Sequence, residues 1–234
     1  MIGIIGAMEE EVAALQRDME IEETRKIASM EFYKGRLCGQ EAVVVRSGVG
    51  KVNAGICGAI LALEFGADVL INTGIAGGLH PDIRIGDMVI SRDALHHDMD
   101  ASAFGDPRGQ VPRMDVWAFP AEEELIERAK KANQRANPDI QTFVGRVVTG
   151  DQFVSSEEKK QELTELFGGM CVEMEGAGIA QAAYLNRIPY VIVRSISDQA
   201  DHCATEDYPT FEKKAITHSV RLIREMLGNW RKLD

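Results

Sequence analysis

The sequence has no hydrophobic run of the length that a membrane-spanning helix needs. Residues 54–71 come closest, but Glu64 and Asp68 interrupt this segment with negative charge. The first residues carry neither a basic region nor a cleavage signature, so we expect no secretory signal. These absences predict a cytoplasmic protein that has no membrane partner.

Cysteine is scarce as well. The chain contains Cys38, Cys57, Cys171 and Cys203, and none of them forms a CxxC pair. Scattered thiols in a chain of this size are typical of a reducing compartment, which agrees with a cytoplasmic location.

Positive charge is outnumbered by negative charge. The 234 residues include 26 Lys and Arg against 37 Asp and Glu, so the formal net charge is -11. Such a surface repels phosphate backbones, and we therefore expect no nucleic-acid partner. With 45% hydrophobic residues, the chain has enough apolar side chains for one sizeable core, and we predict a single domain over residues 1–234.

Short apolar runs alternate with helical patterns along the chain. The runs predict strands at residues 2–5, 42–46, 69–72, 88–91, 143–148, 170–174 and 189–196. The helical patterns predict helices at residues 8–19, 51–64, 122–131, 155–166, 176–185 and 210–227, the fourth with a capping box of Ser155 and Glu158. Strands buried on both faces and alternating with helices predict an α/β fold, a three-layer α/β/α sandwich with a mixed, largely parallel central sheet.

Two glycine-rich turns, SGVGK and TGIAGG, invite comparison with phosphate-binding loops. Gly48 and Gly50 would need a third glycine where Asn53 stands to form a dinucleotide fingerprint. A triphosphate loop would need glycine at Val45 and a hydroxyl at Val52. Neither motif fits, and glycine turns that serve close packing explain these segments equally well. We expect neither a dinucleotide nor a triphosphate site here.

The segment that contains His96, His97, Asp98 and Asp100 has residue types that bind metals. Adjacent histidines point to different sides in any regular element, so the pair makes a poor chelate. We predict a solvated or interface loop here and no metal site.

Several carboxylates fall where strands are predicted to end, which is where ligands bind in α/β sheets. Glu173 and Glu175 lie two residues apart, so on a strand they would share one face. Apolar neighbours surround them, and buried carboxylates need partners or a ligand. Asp198 follows a strongly apolar strand, although an Asp at this position also commonly caps the next turn.

The triplet Glu9, Glu10 and Glu11 opens the first predicted helix. Acidic side chains in a first turn favour the positive end of the helix dipole by roughly 0.3–1 kcal/mol each. On a helical wheel Glu10 points away from the apolar stripe, whereas Glu9 and Glu11 flank it. Periodicity does not decide which of these two faces a site.

Five segments in order carry a family resemblance: IGIIGAMEEEV, SGVGKVNA, NTGIAGGL, VEMEGAGIA and VRSISDQAD. Together they resemble the 5′-methylthioadenosine/S-adenosylhomocysteine nucleosidases of the purine nucleoside phosphorylase-like superfamily, over nearly the whole chain. The resemblance implies a nucleoside phosphorylase-like fold and a homodimeric, cofactor-free hydrolase. Such an enzyme cleaves the N-glycosidic bond of adenine nucleosides that carry a 5′-thioether.

The resemblance also implies residue roles. Glu11 would activate the attacking water, Asp198 would protonate N7 of the leaving adenine with Ser197 orienting it, and Glu175 would hold the ribose hydroxyls beside Met174. The further substrate-binding positions that it implies are Met8, Val49 and Tyr208 around the sugar and 5′ group, Phe153 and Val154 around adenine, and Ile75, Ala76, Gly77 and Glu173. Phe104 would enter the pocket from the partner subunit.

Two positions depart from the family pattern. Ile75 stands where many members carry a small hydroxyl residue, and Asp106 with Pro107 stands where an aromatic residue is expected after the glycine. Three alternatives stay open: a nucleoside phosphorylase, an aminodeoxyfutalosine-type nucleosidase, and a non-catalytic nucleoside-binding protein on the same fold.

Overall fold

A computed structural model describes residues 1–230. Its strands are β1 (Ile2–Gly6), β2 (Glu20–Ile27), β3 (Met30–Leu37), β4 (Gln40–Arg46), β5 (Val69–Gly78), β6 (Met88–His96), β7 (Phe119–Pro120), β8 (Thr142–Thr149), β9 (Gly169–Glu173) and β10 (Tyr190–Asp198). Its helices are α1 (Glu9–Asp18), α2 (Lys51–Glu64), α3 (Glu123–Ala136), α4 (Glu157–Phe167), α5 (Gly176–Asn186) and α6 (Ala204–Gly228).

The strands form one mixed sheet in the order β10-β6-β8-β9-β5-β1-β4-β3-β2, with β7 beside β6. Strand β10 also pairs with β5, so β10, β6, β8, β9 and β5 close into a ring. The neighbours β4, β1, β5 and β10 run parallel, as do β6, β8 and β9. The antiparallel pairings are those of β2 with β3, β3 with β4, β5 with β9, β6 with β7, and β6 with β10.

Helices cover both faces of the sheet. Successive strand residues point to opposite sides, so Ile4 belongs to the apolar cluster that includes residues of α1, α3 and α6, whereas Ile5 belongs to the cluster that includes residues of α2 and α5. The predicted three-layer α/β/α sandwich with a mixed sheet is therefore confirmed. No helix within residues 1–230 is both long enough and apolar enough to cross a membrane.

The β2–β3 hairpin is absent from the predicted elements. Strand β2 has the sequence EIEETRKI and lies at the sheet edge with most of its side chains exposed. It therefore carries little apolar periodicity, and its pairing with β3 decides its conformation.

Strand β5 runs farther than predicted, because the segment TGIAGG is strand and not turn. The fourth helix begins after Ser156, whose hydroxyl accepts a hydrogen bond from the Lys159 amide at 3.2 Å, so the predicted capping box at Ser155 is wrong. Helix α6 starts at Ala204 and not at residue 210, with Pro209 inside it. These differences arise where local signals compete with tertiary packing.

The predicted solvated or interface loop is wrong for His96 and His97, which are buried, whereas Asp98 and Asp100 are exposed. His96 ends β6 and bonds Gln181 at 2.9 Å, and both His96 and the adjacent His97 are buried. Burial lowers the pKa of His97 to about 4. The side chain of Asp98 pairs with Lys51.

Helices α2 and α5 approach each other along small residues. A Cβ on Gly178 would lie 2.7 Å from the Lys51 carbonyl oxygen, and a Cβ on Gly58 would lie 3.0 Å from Ala182. This close contact holds together the starts of α2 and α5, which Gly50 and Glu175 immediately precede.

Replacing Gly178 with alanine is expected to destabilise the protein, although alanine is normally the better helix former. The new methyl group would overlap a backbone oxygen, which cannot move aside as the end of a side chain can. We expect the free energy of unfolding, measured in urea, to fall by about 1–3 kcal/mol.

The matched control is Gly228→Ala. Gly228 is also helical, and a Cβ there would meet no atom within 4 Å. This variant is expected to be as stable as the parent protein or slightly more so. Equal stability of the two variants would contradict the close contact between α2 and α5.

Candidate active site

The ends of β1, β5, β9 and β10 meet at a cavity of about 230 Å³. Its lining residues are Ala7, Met8, Glu11, Val49, Ile75, Ala76, Gly77, Phe153, Val172, Glu173, Met174, Glu175, Ser197, Asp198 and Tyr208. Every site position expected from the sequence lies here except Val154 and Phe104. Ala7 and Val172 also line the cavity and were not among the expected site positions.

Glu11 is the one member of the glutamate triplet that turns inward. It is buried, whereas Glu9 and Glu10 are exposed. Its Oε2 accepts hydrogen bonds from the amides of Ala7 at 2.6 Å and Met8 at 3.0 Å, and its Oε1 accepts one from Ile75 at 3.2 Å. Burial raises the pKa of Glu11, while the charge of nearby Arg194 and these amides oppose the rise.

Glycines make room for the buried carboxylates. A Cβ on Gly74 would overlap the Glu11 carboxylate, and a Cβ on Gly77 would lie 2.8 Å from Oδ1 of Asp198. The glycines of TGIAGG therefore belong to a strand whose missing side chains leave space for two acidic groups.

A buried arginine lies behind this cluster, within the VRSISDQAD segment, which by itself assigned the arginine no role. Arg194 is 1% exposed, and its Nη2 donates to Glu173 Oε2 and to Asn72 Oδ1, both at 2.5 Å. Burial alone would lower the pKa of Arg194, but the carboxylates of Glu173, Glu11 and Glu175 raise it, so the guanidinium stays charged. The signal in the sequence was an arginine inside the apolar run VIVRSIS.

Glu173 and Glu175 do not share one face of a strand, which corrects the expectation. Strand β9 ends at Glu173, and Glu175 takes the position that caps α5, with φ −128° and ψ −38°. Glu173 Oε2 accepts from the amides of Glu175 at 3.1 Å and Gly176 at 2.7 Å, while its Oε1 accepts from the Thr149 hydroxyl. Its oxygens are thus occupied by protein groups, although it still borders the cavity.

Glu175 has fewer protein partners. The amide of Gly50 donates to its Oε1 at 2.9 Å. Burial, and then the negative charge of Glu173, raise the pKa of Glu175 to about 8, against the opposing charge of Arg194. A carboxyl group in this state can bind ligand hydroxyls and respond to a developing positive charge.

Asp198 both caps a turn and faces the cavity, so the two alternative interpretations hold together. Its Oδ1 accepts from the Ala200 amide at 2.9 Å, and its Oδ2 accepts from the Ser197 hydroxyl at 2.8 Å. Burial raises the pKa of Asp198, although both hydrogen bonds oppose the rise. A carboxyl group of raised pKa can serve as a proton donor near neutral pH.

Aromatic and apolar side chains form the remaining wall. Phe153 and Tyr208 contact edge to face, with ring centroids 5.8 Å apart. The Tyr208 hydroxyl donates to Glu212 at 3.0 Å and lies 3.3 Å from the Met8 sulfur. Phe153 is half exposed at the cavity, so its ring can stack on a flat ligand.

Two expected positions lie outside the cavity. Val154 is buried next to Phe153, and Phe104 is 91% exposed in a short 3-10 turn, Ser102–Phe104. Elsewhere, the side chains of Asp201, His202 and Cys203 place three possible metal-ligating atoms within 4.8 Å of one another. This group does not line the cavity, and no sequence motif indicated it.

Replacing Glu175 with glutamine is expected to change how stability depends on pH. The pKa of Glu175 is about 8 in the folded protein against an ordinary 4.5, so the folded state binds this proton more tightly. The group's contribution to stability is therefore complete below pH 4.5 and is lost as the pH rises toward 8.

Glutamine has no such proton, so the variant should gain stability relative to the parent protein across this interval, by on the order of 1–3 kcal/mol. Urea unfolding of both proteins at several pH values measures the difference. Glu10→Gln, at an exposed position, is the control and should show no such trend. A constant difference between Glu175→Gln and the parent would contradict the raised pKa.

Comparison with known proteins places the chain in a family. Residues 1–228 match the family model described as the phosphorylase superfamily. A 5′-methylthioadenosine/S-adenosylhomocysteine nucleosidase of Geobacillus kaustophilus is 44% identical over 226 residues, which are 96% of this chain and 95% of the relative.

Solved structures agree with this assignment. The nucleosidase of the same name from Neisseria meningitidis, in complex with methylthio-immucillin-A, superimposes with a TM-score of 0.93 at 38% identity, covering 97% of this chain and 98% of that one. A futalosine hydrolase of Helicobacter pylori superimposes with a TM-score of 0.90 at 32% identity, with 96% of each chain covered. The chain belongs to the phosphorylase superfamily and, within it, to the 5′-methylthioadenosine/S-adenosylhomocysteine nucleosidases.

Proposed function

We propose that this protein hydrolyses the N-glycosidic bond of 5′-methylthioadenosine and S-adenosylhomocysteine, and also of 5′-deoxyadenosine, releasing adenine and the corresponding sugar. The observation that carries the proposal is the group of three buried carboxyl groups, those of Glu11, Glu175 and Asp198, around one cavity. The pKa of each is raised, with burial as the largest cause. The exposed ring face of Phe153 offers adenine a stacking surface at the same cavity.

The chemistry requires an acid and a base. As the bond breaks, positive charge develops on the sugar and negative charge on the purine. Asp198 donates a proton to N7 of the leaving adenine, and Ser197 orients its carboxyl group through the 2.8 Å hydrogen bond. Glu11, held by three backbone amides, removes a proton from the attacking water.

Glu175 binds the ribose hydroxyls and stabilises the developing cation. Positive charge on the sugar ring favours the ionised form of this carboxyl group, so their attraction is strongest in the transition state. Glu173 has its oxygens bonded to Arg194, Thr149 and backbone amides. Glu173 therefore holds Glu175 in position, and Glu175 binds the ribose.

Water suits this cavity better than phosphate as the nucleophile. Among the described residues, the cavity is lined by no lysine or arginine, and its acidic groups would repel a phosphate dianion. Ile75 lines it where a hydroxyl could otherwise bind an anion. The proposal therefore favours hydrolysis over phosphorolysis.

We also propose that the enzyme is a cytoplasmic homodimer in which Phe104 of one subunit enters the other subunit's site beside the 5′ group. Phe104 is 91% exposed, and burial of an aromatic ring against a protein surface is favourable. Within the subunit it lies outside the cavity.

The direct test is adenine release by the pure protein, measured by chromatography. The substrates are methylthioadenosine, S-adenosylhomocysteine, 5′-deoxyadenosine and an aminodeoxyfutalosine, each with and without phosphate. Release from the thioethers at a rate independent of phosphate supports the proposal. Release that requires phosphate would indicate a phosphorylase, and release confined to the futalosine substrate would indicate the other nucleosidase activity.

Glu11→Gln and Asp198→Asn are each expected to lower kcat by about 10²–10⁴-fold, since each removes one proton-transfer group. Steady-state assays with methylthioadenosine measure the loss, and circular dichroism checks that the fold is retained. Glu10→Gln is the matched control because Glu10 is adjacent but exposed, and it should keep parental turnover. Full activity in either catalytic variant would remove the role assigned to that residue.

Phe104→Ala is expected to raise KM for methylthioadenosine roughly tenfold, because a buried aromatic contact to the 5′ group is lost. Ile21→Ala, another exposed apolar side chain on the edge strand β2, is the control and should leave KM unchanged. Sedimentation measures whether both variants remain dimers. An unchanged KM in a dimeric Phe104→Ala protein would refute the partner-loop contact.

A further inference from the structure

A second cavity of about 470 Å³ adjoins the first. Both cavities are lined by Ala7, Met8 and Val49, so these residues form a shared border between them. The resemblance to the nucleosidase family implies that Met8 and Val49 lie around the sugar and the 5′ group of the nucleoside. The second cavity therefore begins where a long 5′ substituent would leave the first.

Three separate segments build this second cavity. They are the turn from β1 into α1, the tip of the β2–β3 hairpin, and the end of β4 with the turn into α2. The hairpin tip contributes Ala28 and Ser29, which both have positive φ, 49° and 65°. Two consecutive non-glycine residues in this conformation are unfavourable unless the surrounding structure imposes it. The hairpin tip therefore has a defined shape that forms one wall of the cavity.

The charged residues of the cavity wall have both signs. Arg46 is its basic residue, and Glu9 and Glu10 are its acidic residues. The Arg46 Nε lies 3.8 Å from Glu9 Oε2, and both side chains are more than half exposed, at 57% and 55%. This pair is long and solvated, so each partner keeps the capacity to bind a ligand group of opposite charge.

We propose that the second cavity binds the α-amino acid end of a 5′-thioether substituent. Arg46 pairs with its carboxylate, and Glu9 or Glu10 pairs with its ammonium group. S-adenosylhomocysteine carries such an end on a short methylene chain beyond the sulfur, whereas methylthioadenosine ends in a methyl group. This inference rests on the proposed function, with the 5′ carbon oriented toward Met8 and Val49 as the family resemblance implies.

A mixed-charge wall matches a zwitterion better than it matches either a simple anion or an apolar tail. A lone anion would meet repulsion from the two glutamates, and an apolar tail would gain nothing from Arg46. Arg46 lies outside the first cavity, so it discriminates between substrates by their tails.

The test compares Arg46→Gln with the parent protein on three substrates. These are S-adenosylhomocysteine, methylthioadenosine, and 5′-butylthioadenosine, whose tail is of similar length but uncharged. We expect the ratio of kcat/KM for S-adenosylhomocysteine to that for methylthioadenosine to fall roughly five- to tenfold, as for loss of a partly exposed charged hydrogen bond. The ratio of butylthioadenosine to methylthioadenosine should stay constant.

Arg36→Gln is the matched control. Arg36 is a similarly exposed arginine on β3, 4.0 Å from Glu22, and it lines neither cavity. It should leave both ratios unchanged. Glu9→Gln together with Glu10→Gln should lower the S-adenosylhomocysteine ratio as Arg46→Gln does.

The outcomes separate this inference from the proposed function. An unchanged S-adenosylhomocysteine ratio in Arg46→Gln, or an equal fall for butylthioadenosine, would overturn the second site while the nucleosidase activity stands. A parent protein that cleaves none of the three would contradict the proposed function instead. In that case titration calorimetry tests the second site. If the site exists, the parent protein binds S-adenosylhomocysteine more tightly than butylthioadenosine, and Arg46→Gln does not.

Discussion

The buried ion pair of Arg194 with Glu173 is the interaction on which the site depends. It joins the end of β9 to β10, and the bond from Arg194 to Asn72 adds β5, so one guanidinium connects three strands. Two charges removed from water require good geometry and further hydrogen bonds to offset desolvation. Glu173 meets this need through Thr149 and the amides of Glu175 and Gly176. The pair thereby determines where α5 begins and how the Glu175 side chain is placed at the cavity.

Arg194 also partly neutralises the negative charge of three neighbouring carboxyl groups. Glu11, Glu173 and Glu175 all raise its pKa, so one cation is shared among three carboxyl groups. One positive charge leaves part of the negative charge uncompensated, and burial then raises the pKa of Glu11 and Glu175. Raised pKa values in a cavity are typical of proton-transfer sites, and they cost stability at the pH at which these groups ionise.

The sequence predicted the general architecture and most of the cavity, but it missed features that exist only through contact. Alternating apolar runs were enough for the sandwich, and the ordered motifs were enough for nearly all cavity positions. Arg194 was missed because an arginine in an apolar strand has no local signature of its partner, Glu173, which lies 21 residues away in sequence. The β2–β3 hairpin was missed because β2 is mostly exposed and gains its conformation from pairing.

By itself, the sequence determined the α/β class, the family and the residue types that gather at the strand ends, since periodicity and ordered motifs are local properties of the chain. Periodicity left Glu9 and Glu11 undecided and the family resemblance favoured Glu11, but only the tertiary structure gave the physical reason: three amides and the space left by Gly74 select this carboxylate for burial. It alone showed that Glu173 and Glu175 lie on different elements, since β9 ends at Glu173 and Glu175 caps α5. It alone placed Arg46 and the β2–β3 hairpin tip beside the first cavity. Each of these depends on which strands become neighbours, and that arrangement follows from the packing of the whole core.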